Sequence, residues 1–253
     1  MSRGKCKLCL RTADLQKSHL MPAALYRKSR TPGASNPNPT LFTERRRIQT
    51  SHQVRDFLLC RDCEQLFSQN GESYVMTQVY DGKKFPLLDT LRSCKPTWRG
   101  QDSLGYDSEE TPSIDRDKLG YFALSVFWRA SVHVWREPGE KSTTIDLGSQ
   151  YNEIFRKYLL GHSDFPENVV LLIIACTDIL SNDSFYVPSL GRKGADRTYS
   201  FMARGLNFLM IIGKSIDPPI RNLCAVTGPK QFIISRSCET KVLEAFQRLK
   251  RLH

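Results

Sequence analysis

Two short cysteine pairs, far apart along the chain, constrain its fold more than any other feature: Cys6-Lys7-Leu8-Cys9 and Cys60-Arg61-Asp62-Cys63. Each C-x2-C is a tight turn that brings two thiolates to one point, and two such turns complete a tetrahedral shell of four sulfurs. The spacing predicts one structural Zn2+ held by Cys6, Cys9, Cys60 and Cys63. Lys or Arg next to each pair favours the thiolate form that binds metal. The remaining cysteines, Cys94, Cys176, Cys224 and Cys238, show no paired spacing. Cys176 ends an apolar run and reads as a small buried hydrophobe.

Charge coincides with that motif. The chain of 253 residues carries 37 Lys and Arg against 26 Asp and Glu, net +11. Residues 1–65 alone hold 13 basic and five acidic side chains, net +8. A concentrated basic excess attracts phosphates, because each phosphate neutralised releases counterions. Nucleic acid, DNA in the first instance, is the expected partner, with Lys5, Lys7, Arg45, Arg46, Arg47 and Arg61 as phosphate contacts. Solubility alone is the plainer alternative. Forty per cent hydrophobic residues, a tenth of all residues being aromatic, fit a globular core. The longest apolar run, Val169–Cys176, is only eight residues and cannot span a membrane. No apolar stretch follows the basic Met-Ser-Arg-Gly-Lys-Cys-Lys start, so a cytoplasmic protein with no membrane partner is expected.

The pattern along the chain predicts an α+β protein in three stretches: a zinc module over 1–80, a linker or irregular region over 81–118, and an α+β domain with an antiparallel sheet over 119–253. Within the first, a short helix over 23–28, a proline-rich loop over 29–40, a strand within 41–50 and a strand over 55–59 are expected. A helix then opens inside the second cysteine pair, with Asp62 as its N-cap. Apolar residues at three- and four-residue steps predict helices over 119–135 and 151–159, the second ended by Gly161. Strands are expected over 169–176, 184–187, 198–203, 207–212 and 231–235, with Arg204-Gly205 as a hairpin turn and a closing helix over 241–252.

A C-x2-C, a His some ten residues on with a Pro shortly after it, and a strand entering a second C-x2-C that opens a helix together resemble the His-Asn-His (HNH) endonucleases. The similarity is to the branch whose ββα-metal core, of treble-clef type, is pinned by a four-cysteine zinc, and it covers about residues 6–75. It implies that His19, in Ser18-His19-Leu20-Met21-Pro22, is the general base that activates water against a phosphodiester. It also implies a catalytic Mg2+ or Mn2+ whose ligand positions fall on Ser18 and Glu64, with Ser68 and Glu72 as further oxygen donors. The family's middle Asn falls on Arg55, which would clamp a phosphate, while Asp56 would hold His19 or join the metal shell.

Three functions follow: a metal-dependent nuclease with His19, Arg55 and Asp56 at its centre; a non-catalytic, zinc-stabilised binder of nucleic acid or protein; or a zinc staple on an unrelated domain. The last leaves the basic excess without a use. His52 can reach a phosphate or stand free in solvent. His133, Trp128 and Trp135 read as structural residues of a buried helix. Residues 119–253 show no cofactor motif and are expected to serve a protein partner, a homo-oligomer or regulation.

Overall fold

The computed structural model describes residues 2–30, 33, 35–38, 40–42, 47–136, 144–191, 196–228 and 230–238, with backbone only at 40–42, 47 and 48. Arg45, Arg46, the side chain of Arg47 and the expected closing helix lie outside the described residues.

The N-terminal part is built on strands β1 (Ser2–Lys5) and β2 (Thr12–His19), followed by helix α1 (Ala23–Lys28). The single strand expected within 41–50 is instead two short paired strands, β3 (Thr40–Phe42) and β4 (Arg47–Gln49). Strand β5 (Arg55–Cys60) pairs antiparallel with β2, completing a three-stranded sheet in the order β1-β2-β5. Its register sets Ser18 opposite Asp56 and His19 opposite Arg55. Helix α2 (Arg61–Phe67) starts directly after β5, so its N-cap is Cys60 rather than Asp62. Asp62 lies in the first helical turn and faces Arg11 at 3.2 Å. A π-helical turn (Ser68–Glu72) then leads into α3 (Ser73–Gln78). Such turns re-aim the side chains around them and recur at functional sites.

The stretch 81–118, expected to be irregular, holds α4 (Pro86–Ser93) and strands β6 (Trp98–Arg99) and β7 (Ser103–Tyr106). Its prolines and glycines serve real elements: Pro86 occupies the first turn of α4, where its missing N–H has no helical partner in any case. Next come α5 (Arg116–Val132), α6 (Gly148–Leu159), β8 (Val169–Cys176), α7 (Ile179–Asn182), β9 (Phe185–Leu190), β10 (Arg197–Ala203), β11 (Leu206–Ile212), α8 (Pro218–Arg221) and β12 (Ile233–Arg236). Among the described residues β6 to β12 form a seven-stranded sheet, ordered β6-β7-β12-β8-β11-β10-β9. Its neighbours are antiparallel except for β12, which runs parallel to β8. The sheet is therefore mixed rather than purely antiparallel. Arg204 and Gly205 form the β10–β11 hairpin, both with positive φ, +42° and +86°, as a two-residue turn that matches strand twist demands.

Cys176 is bonded to Cys238 in a disulfide between the ends of the neighbouring strands β8 and β12. This corrects its expected role as an unpaired small hydrophobe: it is buried and also a cross-link.

Helix α5 positions the site. It is apolar nearly all round, as a helix enclosed on every side must be. Phe122 meets Phe201 and Phe208 of the large sheet edge-on, while Trp128 meets Phe67 of α2 in the same way. The hydrophobic core runs without a break from the cysteine region through α5 to the sheet. Gly71 permits the close crossing of the π turn and α5: a Cβ there would sit 2.8 Å from the backbone nitrogen of Phe122. The C-terminal turn of α5 thereby comes over the β2–β5 sheet.

Candidate metal centre and polar groove

The four thiols expected to share a metal do converge. The sulfurs of Cys6, Cys9, Cys60 and Cys63 all lie within 4.8 Å of one another, a set that can hold an ion such as zinc. The local chain explains why. The first turn closes through Leu10 N–H to the Cys6 carbonyl at 3.0 Å and Cys6 N–H to the Arg11 carbonyl at 2.9 Å. Leu10 takes a left-handed conformation, φ 62°, to complete it. Arg156 of α6 donates to the Leu8 carbonyl at 2.9 Å and braces the turn from outside. The second pair is delivered by the β5–α2 junction, where Cys60 N–H points at the Cys6 sulfur at 3.4 Å. Hydrogen bonding with Cys63 draws the Cys6 thiol down to about 4, and the same contact, with burial, pushes Cys63 up. Four thiolates packed this closely would repel one another, and a cation among them would offset that repulsion.

Beside this cluster lies a second polar group, enclosed by β2, α2, the π turn and α5. Ser18 is fully buried, and its hydroxyl accepts from Leu59 N–H at 3.2 Å. Glu64 reaches Ser18 from α2. Burial pushes its carboxyl up, with the Ser18 hydroxyl and the Arg129 charge pulling the other way. One of its oxygens, Oε1, is buried with no hydrogen-bond partner. Glu72, from the π turn, pairs with Arg129 at 2.7 Å, charge against charge rather than in an aligned hydrogen bond. The Arg129 side chain is only 1% exposed. It donates to the His19 carbonyl at 2.9 Å and lies over the Phe67 ring at 5.4 Å.

His19 itself is half-buried. Its Nε2 lies 2.7 Å from the Gln53 Oε1, so Gln53, and not Asp56, is the side chain that holds it. Burial lowers its pKa, and the charges of Arg55 and Arg129 lower it further, against the opposing pull of Gln53 and Glu72. Asp56 instead pairs with His133 at the end of α5, Nε2 to Oδ2 3.0 Å. Burial works against the charge on Asp56, yet the Phe57 N–H, His133 and Arg136 hold its carboxyl below the ordinary range. The expected contact from Asp56 to His19 is thus replaced, and His133, expected to be purely structural, is a surface partner. Ser68 turns to Ser73 at 3.2 Å.

Near Ser18 the donors for a divalent ion are few, Glu64 being the carboxyl beside that hydroxyl, and Mg2+ is commonly held by one or two carboxylates with water completing its shell. Among the described residues, no three His, Cys, Asp or Glu ligand atoms other than the four thiols approach one another within 4.8 Å. The Ser18 hydroxyl and the Glu64 carboxyl are together, and the cation whose charge bears on Glu64 is the Arg129 guanidinium.

Outside this buried group the surface is open and basic. Lys17, Ser51, His52, Gln53, Arg55 and Asp56 line a groove along the β2–β5 edge. The Lys17 ammonium stands 5.6 Å from the centre of the Phe57 ring, which steadies it over the sheet. Lys5, Lys7 and Arg61 are exposed as expected of phosphate contacts. Sequence reasoning missed Lys17, Gln53, Arg129 and His133. Of these, Lys17 and Arg129 carried a local signal, their positive charge, Lys17 two residues before His19 and Arg129 inside an otherwise apolar helix.

Comparison of the chain with family models, curated proteins and solved structures finds no match. No helix among the described residues is long and apolar enough to cross a membrane.

Proposed function

We propose that this chain is a zinc-stapled nucleic-acid-binding protein, built on the ββα framework of the HNH type, in which an arginine takes the position of the catalytic ion. One observation carries this: the buried Arg129 guanidinium lies between the Glu72 carboxylate and the His19 carbonyl, and its charge bears on Glu64. A guanidinium there neutralises the carboxylates that a divalent ion would otherwise need.

In this proposal β2, β5 and α2 are the ββα unit, and Zn2+ on Cys6, Cys9, Cys60 and Cys63 is purely structural. It cross-links two distant segments and supplies folding free energy. Lys17 and Arg55 in the open groove, with Lys5, Lys7 and Arg61 around it, contact phosphates of double-stranded DNA. The test is binding of a labelled duplex over a range of salt. Log affinity should fall linearly with log salt, by about 0.9 per phosphate contact. A Lys17→Ala/Arg55→Ala variant that binds with unchanged affinity and slope would refute it.

A second function keeps a foothold through one atom. The partnerless Glu64 Oε1 beside Ser18 is an acceptor suited to a cation, which favours a Mg2+- or Mn2+-dependent nuclease with His19 as base. Plasmid cleavage that needs Mg2+ or Mn2+, stops with EDTA and falls roughly 10²–10⁴-fold in His19→Ala would replace the binder with the enzyme.

A further inference from the structure

We infer that the C-terminal end of α5 extends the nucleic-acid track beyond the zinc module, through Arg136 and the His133–Asp56 pair, into a second groove shared with Lys7. This rests on the binding function proposed above and says which further part of the chain takes part in it.

Two open grooves meet at a common wall. The first runs past Lys17, His52 and Arg55; the second is lined by Lys7 from the first cysteine turn and by Ser131, His133 and Arg136 from α5 and the residues after it. Asp56 lines both. A bare carboxylate at that junction would repel a phosphate chain passing from one groove to the other. It is not unpaired: His133 Nε2 lies 3.0 Å from one of its oxygens, while the carboxyl stays about half exposed. The groups that face the junction are thus four cations, Lys7, Lys17, Arg55 and Arg136, around one acid with its own partner.

The chemistry of the walls selects the partner. A protein interface needs buried aromatic or aliphatic anchors. Here the large rings near the grooves are already engaged, Phe57 under Lys17 and Trp135 in the core, and the aliphatic chains on the second groove are two short ones, Val132 and the exposed Val134. The other lining groups are mostly ammonium, guanidinium, imidazole, hydroxyl and amide, the set that contacts a sugar–phosphate backbone. An acidic protein is the competing class of partner, and the test below separates it.

The experiment uses full-length, zinc-loaded protein and a fluorescein-labelled DNA duplex, read by anisotropy across a salt series. Arg136→Ala and Lys7→Ala should each lower the slope of log affinity against log salt by about one. His133→Ala should weaken binding by leaving the Asp56 carboxylate without its partner, and adding Asp56→Asn should restore it. That rescue separates shielding of the carboxylate from a direct phosphate contact by His133. If Arg136→Ala and Lys7→Ala keep the wild-type slope while Lys17→Ala/Arg55→Ala loses affinity, the extension is wrong and the first groove alone binds. If none of these variants changes affinity, the binding function itself fails. Competition by poly-glutamate as effective as by unlabelled duplex would overturn nucleic acid as the partner of both grooves.

Discussion

The guanidinium of Arg129 donates to the backbone carbonyl of His19 at 2.9 Å, although the two residues stand 110 positions apart in the chain. The contact means that the polar centre beside the cysteine cluster is not the property of the N-terminal module. Its two carboxylates come from α2 and the π turn, its hydroxyl from β2, and its positive charge from a helix of the following region.

Removing Glu72's partner should be costly. Arg129→Met leaves a carboxylate largely enclosed and unpaired, which is expected to destabilise the protein by about 3–5 kcal/mol in urea unfolding. The double variant Arg129→Met/Glu72→Gln should recover much of that loss. If the guanidinium stands where an ion otherwise would, Arg129→Ala, and not the wild type, should be stabilised by added Mn2+. A wild-type protein that gains equally from Mn2+ would contradict it.

Zinc should be present at one ion per chain by elemental analysis. Because the core is continuous from Cys6 to the large sheet, Cys60→Ser or prolonged chelation should lower the melting temperature of the whole protein. Loss confined to the first strands is not expected. A zinc-free preparation as stable as the loaded one would refute the four-thiolate site.

Asp178 offers a pH-dependent test. Its carboxylate caps α7 through Ser181 N–H at 2.8 Å and accepts from Cys238 N–H at 2.7 Å. Burial opposes the charge, but the hydrogen bonds of Ser181 and Cys238 prevail and hold the carboxyl below its ordinary value. The folded state therefore binds the proton less readily than the unfolded one. Its contribution is complete above the unfolded value of about 3.9 and is lost as pH falls through the folded one. Asp178→Ala should cost about 1 kcal/mol near neutrality, and the gap from wild type should close in acid. A pH-independent gap would dissociate it from this carboxylate.

The Cys176–Cys238 disulfide closes a loop spanning 62 residues. On the chain-entropy account a loop of that length contributes about 4 kcal/mol. The variant Cys176→Ala/Cys238→Ala, preferable to a reductant that would also act on the four clustered thiols, should unfold at correspondingly lower urea. No change would mean the thiols are free in solution.

Patterns that repeat over a few residues were legible in the sequence. The cysteine spacing identified the whole four-thiol cluster, and apolar periodicity located α5, α6, β8, β10 and β11 to within a few residues. Relationships between distant segments were not. Nothing local tells β12 to run parallel to β8, or Cys176 to meet Cys238. His133 has apolar neighbours, and its partner Asp56 lies 77 residues earlier, so it reads as part of a core helix. Arg129 failed for the same reason: a charge inside an apolar helix shows its purpose only once the facing carboxylates are known. In 81–118, prolines and glycines that bound short elements look the same as those of a loop.

The placement of α5 also sets an order of events during synthesis. Both cysteine pairs have left the ribosome once residue 63 is out, so the ion can be captured while the chain is still growing. Arg129 emerges roughly 3–13 s later at about 5–20 residues per second. From the time Phe67 and Glu72 themselves emerge, Phe67 lacks its Trp128 cover and Glu72 its counter-charge. A nascent chain halted between those points can hold a metal on its four thiols yet presents an apolar, acidic face to the cell, and that is when a chaperone would find it.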